Sequence, residues 1–89
     1  MAVNNKAHTA TVHRIAKRYS AEANSNGQPD VSNGNLTVEV ETSATLSQGI
    51  KALLDVQGPV FVAVTNRESL SDALRKASNT RVDVMDTQG

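Results

Sequence analysis

One segment, Val60-Phe61-Val62-Ala63-Val64, constrains this chain more than any other. A strand with one face in water alternates apolar and polar residues, whereas a strand apolar at every position is covered on both faces. Gly58-Pro59 closes the run on one side and Thr65-Asn66 on the other. The rest of the chain must therefore provide a sheet with flanking helices around this central strand.

Three stretches have helical spacing. From Ala7 to about Ala23, Val12, Ile15, Ala16 and Tyr19 form an apolar stripe, and His13, Arg14, Lys17 and Arg18 fall mostly off it. Leu46, Ile50, Leu53 and Leu54 form a second stripe, with Thr42 to Thr45 as capping residues and Gly58-Pro59 as the stop. Leu70, Ala73, Leu74 and Ala77 form a third, preceded by Thr65-Asn66-Arg67-Glu68 at capping-box spacing, with Thr65 as the cap. Three further segments read as strands. Asn33-Gly34 is a two-residue hairpin signal joining residues 30–32 to 35–41, and Arg81 to Met85 alternates weakly. The expected order is α-β-β-α-β-α-β, a small mixed α/β domain with a sheet of about four strands.

At 89 residues the natural count is one domain over 1–89, with 1–6 a frayed start, read either as a whole small protein or as a piece of a longer chain. With one Phe, one Tyr and no Trp, the core must be aliphatic, and so thin a core leaves room for a homodimer. The absence of Cys excludes a disulfide scaffold and a thiolate zinc site, and fits a reducing compartment such as the cytoplasm. The longest apolar run is far too short to span a bilayer. Net charge is zero but unevenly placed. Residues 1–20 carry Lys6, Arg14, Lys17 and Arg18 without an acid, and residues 21–41 carry Glu22, Asp30, Glu39 and Glu41 without a base.

The acidic block holds the chemistry. A two-residue turn at Asn33-Gly34 sets Ser32 opposite Asn35, Val31 opposite Leu36 and Asp30 opposite Thr37. Residues two apart share a face, so Asp30, Thr37, Glu39 and Glu41 face one way and Val31, Leu36, Val38 and Val40 the other. Three carboxylates on one patch repel one another, which costs stability and raises at least one pKa. A hard divalent cation such as Mg²⁺, or Mn²⁺ in its place, removes that cost. A solvated polar face on a half-exposed hairpin is the plain alternative.

Pro29-Asp30, an eight-residue interval, then Glu39-Val40-Glu41 resembles the PD-(D/E)XK phosphodiesterase motif of restriction endonucleases, Holliday-junction resolvases and other DNA-repair nucleases. The resemblance implies a core of a helix, antiparallel strands bearing the motif, a helix and a further strand, and residues 7–64 read in that order. It implies Asp30 and Glu39 as metal ligands. Glu41 stands where the family usually has Lys, a residue thought to orient the attacking water, and some restriction endonucleases carry Glu there. Lys51, on the following helix, is the candidate replacement cation. Gln48 lies roughly where some relatives have a helix glutamine, but Ala52 stands where their tyrosine would be.

The functional expectation is thus a Mg²⁺-dependent DNA nuclease. Asp30, Glu39 and Glu41 hold the ion, Arg14, Lys17, Arg18 and Lys51 contact phosphates, and a second subunit or partner domain chooses the substrate. The alternatives are an inactive relative that binds DNA or protein and an unrelated small interaction domain. His8 and His13, five apart, read as surface residues of a basic helix. Neither a nucleophile elbow nor a Gly-rich phosphate loop occurs, and two aromatics are too few for a base-stacking platform.

Overall fold

A computed structural model describes residues 6–23 and 29–89. Its elements are α1 (Lys6–Arg18), β1 (Glu22–Ala23), β2 (Val31–Ser32), β3 (Thr37–Glu41), α2 (Leu46–Leu53), β4 (Val60–Val64), a 3₁₀ turn (Arg67–Ser69), α3 (Leu70–Ala77) and β5 (Asp83–Met85). The strands form one mixed sheet in the order β1-β2-β3-β4-β5. β2 runs antiparallel to both neighbours, and β3, β4 and β5 run parallel.

β4 is an interior strand, between β3 and β5, and is covered on both faces, as its composition requires. Val60, Val62 and Val64 pack with Leu46, Ile50 and Leu53 of α2, Ala73 and Ala77 of α3, and Val82. On the other face Ala63 joins Val31, Val38, Val40 and Met85 beneath Val12, Ile15 and Ala16 of α1. The result is three layers, with α1 on one side and α2 and α3 on the other. No helix among the described residues is long and apolar enough to cross a membrane.

The sheet has five strands where four were expected. The first helix ends at Arg18 rather than near Ala23, because Ser20 adopts the left-handed conformation (φ 52°) and the Ala21 N–H reaches back to the Ala16 carbonyl at 2.9 Å. This is a Schellman-type stop. It frees Glu22–Ala23 to pair with β2 as the extra strand. At its other end α1 already includes Lys6, which the sequence assigned to the frayed start.

The helix starts also differ from expectation. Asn66, not Thr65, opens the third helical segment, its Oδ1 accepting the Ser69 N–H at 2.9 Å. Thr45 precedes α2, but its Oγ1 accepts the Thr42 N–H at 3.0 Å instead of capping the helix. α2 stops at Leu53, before Gly58-Pro59, and Arg81 donates to the carbonyl of Leu53 in its last turn and to those of Val56 and Gly58 beyond it.

Candidate metal centre

The turn that builds the site is wider than Asn33-Gly34 alone. Ser32 pairs with Thr37 and Val31 with Val38, so the loop comprises residues 33–36. Asn33 organises it as an Asx turn, its Oδ1 accepting the N–H groups of Asn35 (2.6 Å) and Leu36 (3.0 Å). Neither Asn33 nor Gly34 takes a positive φ, so the type I′ turn is absent.

The register is therefore shifted by two residues. Because side chains alternate with period two, the shift leaves every face assignment intact. It moves Asp30 from opposite Thr37 to opposite Glu39, one step beyond the Val31–Val38 pair. The two carboxylates, expected on a diagonal, are direct cross-strand neighbours.

One ligand oxygen from each of Asp30, Glu39 and Glu41 lies within 4.8 Å of the others. Three elements hold them. Asp30 sits just before β2, where its Oδ2 accepts the Val40 N–H of β3 at 2.8 Å, in place of a strand carbonyl. Glu39 and Glu41 point toward the α2 layer, since their partners in β4, Val62 and Val64, belong to that core. Gly49 of α2 makes room for Glu41: a Cβ there would lie 2.5 Å from Glu41 Cγ and Oε2.

Glu39 excludes the solvated-face alternative at its own position, because the residue is only 3% exposed. Its Oε1 is buried with no hydrogen-bond partner, which is a costly state for a carboxyl oxygen. Burial first, and then the neighbouring Asp30, push the Glu39 carboxyl from the usual 4.5 to about 8, with Glu41 adding to the rise. Glu41, half-buried, is also raised, chiefly by burial, while a hydrogen bond from Thr45 and the charge of His8 pull the other way.

The donor set fits a hard cation. All three groups offer carboxylate oxygens, the class Mg²⁺ and Mn²⁺ take, and ligand oxygens on an octahedral ion with bonds of about 2.1 Å lie roughly 3–4 Å apart. An ion shared by the three would engage the orphaned Glu39 Oε1 and offset the mutual repulsion that raises Glu39 and Glu41.

The expected cationic residues do not converge here. Arg14, Lys17 and Arg18 are exposed on α1, Arg14 donates to the Thr87 carbonyl at 2.8 Å, and the Arg18 guanidinium lies 5.9 Å from the Tyr19 ring centroid. Lys51 is exposed and two residues from Gly49, about 200° around α2, so it faces away from Glu41. Gln48 is exposed beside Gly49.

His8 is at the site instead, its Nε2 standing 3.4 Å from Asp30 Oδ2. Its signal was present in the sequence. Val12, Ile15 and Tyr19 follow it at helical spacing, which puts His8 on the inward stripe of α1, unlike His13. Gly49 carried a signal too, since a glycine inside a helical pattern marks a close approach. No protein-family model, curated protein or solved structure matches this chain.

Proposed function

We propose that this chain is a divalent-cation-dependent phosphodiesterase of the PD-(D/E)XK type acting on DNA, with Asp30, Glu39 and Glu41 as cation ligands. The observation that carries the reading is Glu39, a carboxyl group 3% exposed, with an unpartnered oxygen and two more carboxylates within reach. With its carboxyls ionised, that arrangement gains the fold no stability without a counter-charge. The order of elements supports the same reading, because a helix, antiparallel strands bearing the motif, a helix and a further strand follow one another from α1 to β4.

Mg²⁺ or Mn²⁺, when bound, supplies Lewis-acid polarisation of a phosphodiester oxygen. The chain's own residues do the rest. The Val40 N–H fixes Asp30. Glu39 offers its oxygen from the floor of the site. Glu41, the least buried of the three and raised in pKa, is the group placed to accept a proton from an attacking water, the part the usual Lys plays through orientation. Lys17 and Arg18, on the outer face of α1, contact the DNA backbone away from the scissile phosphate, and a second subunit or partner domain selects the substrate.

A second reading, cation binding without cleavage, draws on one observation: Lys51 faces away from the cluster and does not replace the missing motif lysine.

The test is titration with Mg²⁺ and then Mn²⁺, followed by backbone amide NMR. Shifts and Mn²⁺ broadening should concentrate at Asp30, Glu39 and Glu41 and vanish in Asp30→Ala. No response up to about 10 mM Mg²⁺, beyond the millimolar range of weak divalent sites, defeats the nuclease reading. Binding together with nicking of plasmid DNA in Mn²⁺, lost in Asp30→Ala, favours the nuclease. Binding with intact plasmid favours the second reading.

A further inference from the structure

The Asp30 carboxylate is held from two directions through one oxygen. Oδ2 accepts the Val40 N–H of β3 at 2.8 Å, and His8 Nε2 of α1 stands 3.4 Å from the same atom. The two groups come from different layers of the domain. They meet at a side chain just outside β2, where the strand pairing no longer fixes the chain. His8 is itself anchored, since it lies on the inward stripe of α1, one turn before the buried Thr11 and Val12, and its side chain is 30% exposed.

Carboxylate ligands are oriented by the groups that occupy their other oxygen. We propose that His8 is a positioning residue of the cation site: with the Val40 N–H it engages Asp30 Oδ2, so that Asp30 presents Oδ1 alone to the ion. This rests on the cation-site reading given above and adds a fourth residue to it, one that acts through Asp30 rather than on the substrate. It also accounts for a histidine on the inward stripe of a helix whose charged side chains, Lys6, Arg14, Lys17 and Arg18, are exposed.

The experiment measures Mn²⁺ affinity by electron paramagnetic resonance of the free ion, for the full chain and for His8→Ala, His8→Gln and Glu39→Gln. His8→Ala should weaken binding about 10–100-fold, the usual effect of removing a group that orients a ligand. His8→Gln, whose amide N–H can reach the same oxygen, should recover most of that loss. Glu39→Gln should abolish binding. Thermal midpoints without cation should agree between His8→Ala and His8→Gln, which separates positioning from folding. Unchanged affinity in His8→Ala overturns the positioning role and leaves the cation site standing. A loss that His8→Gln does not recover also overturns it. A wild-type chain that binds no Mn²⁺ overturns the cation site and this role together.

Discussion

β3 and β4 lie side by side, parallel and in register, beneath the same helix, yet they carry opposite chemistry. Thr37, Glu39 and Glu41 of β3 are the partners of Val60, Val62 and Val64 of β4. Val62 is fully buried and Glu39 is 3% exposed. At two of these three positions β3 places a carboxylate where β4 places a valine. For β4 the burial is what holds the three layers together. For β3 it is a cost, because buried carboxylates lose hydration and repel one another. Two neighbouring strands under one helix thus separate what the fold needs from what it tolerates.

The comparison is broken most severely by giving β4 the chemistry of β3. Val62→Asp places a carboxylate among Leu46, Ile50 and Ala73, beside Glu39 and with no partner. The expected loss is about 4 kcal/mol or more, enough to unfold most of a domain this small. Urea denaturation followed by circular dichroism measures it. A stably folded Val62→Asp would mean that the α2 layer admits water and that Glu39 is not desolvated.

The next largest effect is a pH dependence. Glu39 titrates at about 8 in the fold against 4.5 ordinarily, so the folded chain holds a proton that the unfolded chain has released. Its contribution is fully favourable below pH 4.5, falls as pH rises toward 8 and is lost above it, and the raised Glu41 acts in the same direction. The cation-free protein should therefore be less stable at pH 9 than at pH 5, by a few kcal/mol. Thermal or urea midpoints across that range test the sign. Glu39→Val, which makes β3 resemble β4, should remove most of the slope and raise the midpoint at pH 9. Mg²⁺ or Mn²⁺ should recover stability at pH 9 in the wild type and not in Glu39→Val. A midpoint that rises from pH 5 to pH 9 would show that the carboxylates are stabilised as anions by the protein itself.

Much of this contrast was legible in the sequence. The apolar run of β4 declared its burial on both faces, and the alternation in β3 fixed which residues share a side. The register was not legible, because Asn33 forms an Asx turn that widens the loop to residues 33–36, and only the even shift kept Asp30 with Glu39 and Glu41. The extra strand was hidden because apolar spacing in α1 continues through Tyr19 while the helix stops on Ser20. The burial of Glu39 and the approach of His8 were hidden for a different reason. Both depend on how α1 and α2 sit over the sheet, and periodicity within one segment cannot report a contact between segments.

The smallest effect on stability falls at Gly49, and it sharpens the comparison by acting on the site alone. Glycine inside a helix costs about 1 kcal/mol relative to alanine, so an unopposed Gly49→Ala would stabilise α2. Here the new methyl group meets Glu41 Cγ and Oε2 at 2.5 Å, and the half-buried Glu41 side chain must rotate away. Against that gain, displacing a packed side chain costs about 1–3 kcal/mol, so the unfolding free energy should fall by no more than about 2 kcal/mol. Mn²⁺ affinity should nevertheless fall about tenfold or more, because a ligand has moved. Gly34→Ala is the control, since nothing lies within 4 Å of a Cβ built at Gly34. Its Mn²⁺ affinity should match the wild type. If Gly49→Ala binds Mn²⁺ as tightly as Gly34→Ala, then Glu41 is not a ligand, and the site reduces to Asp30 and Glu39.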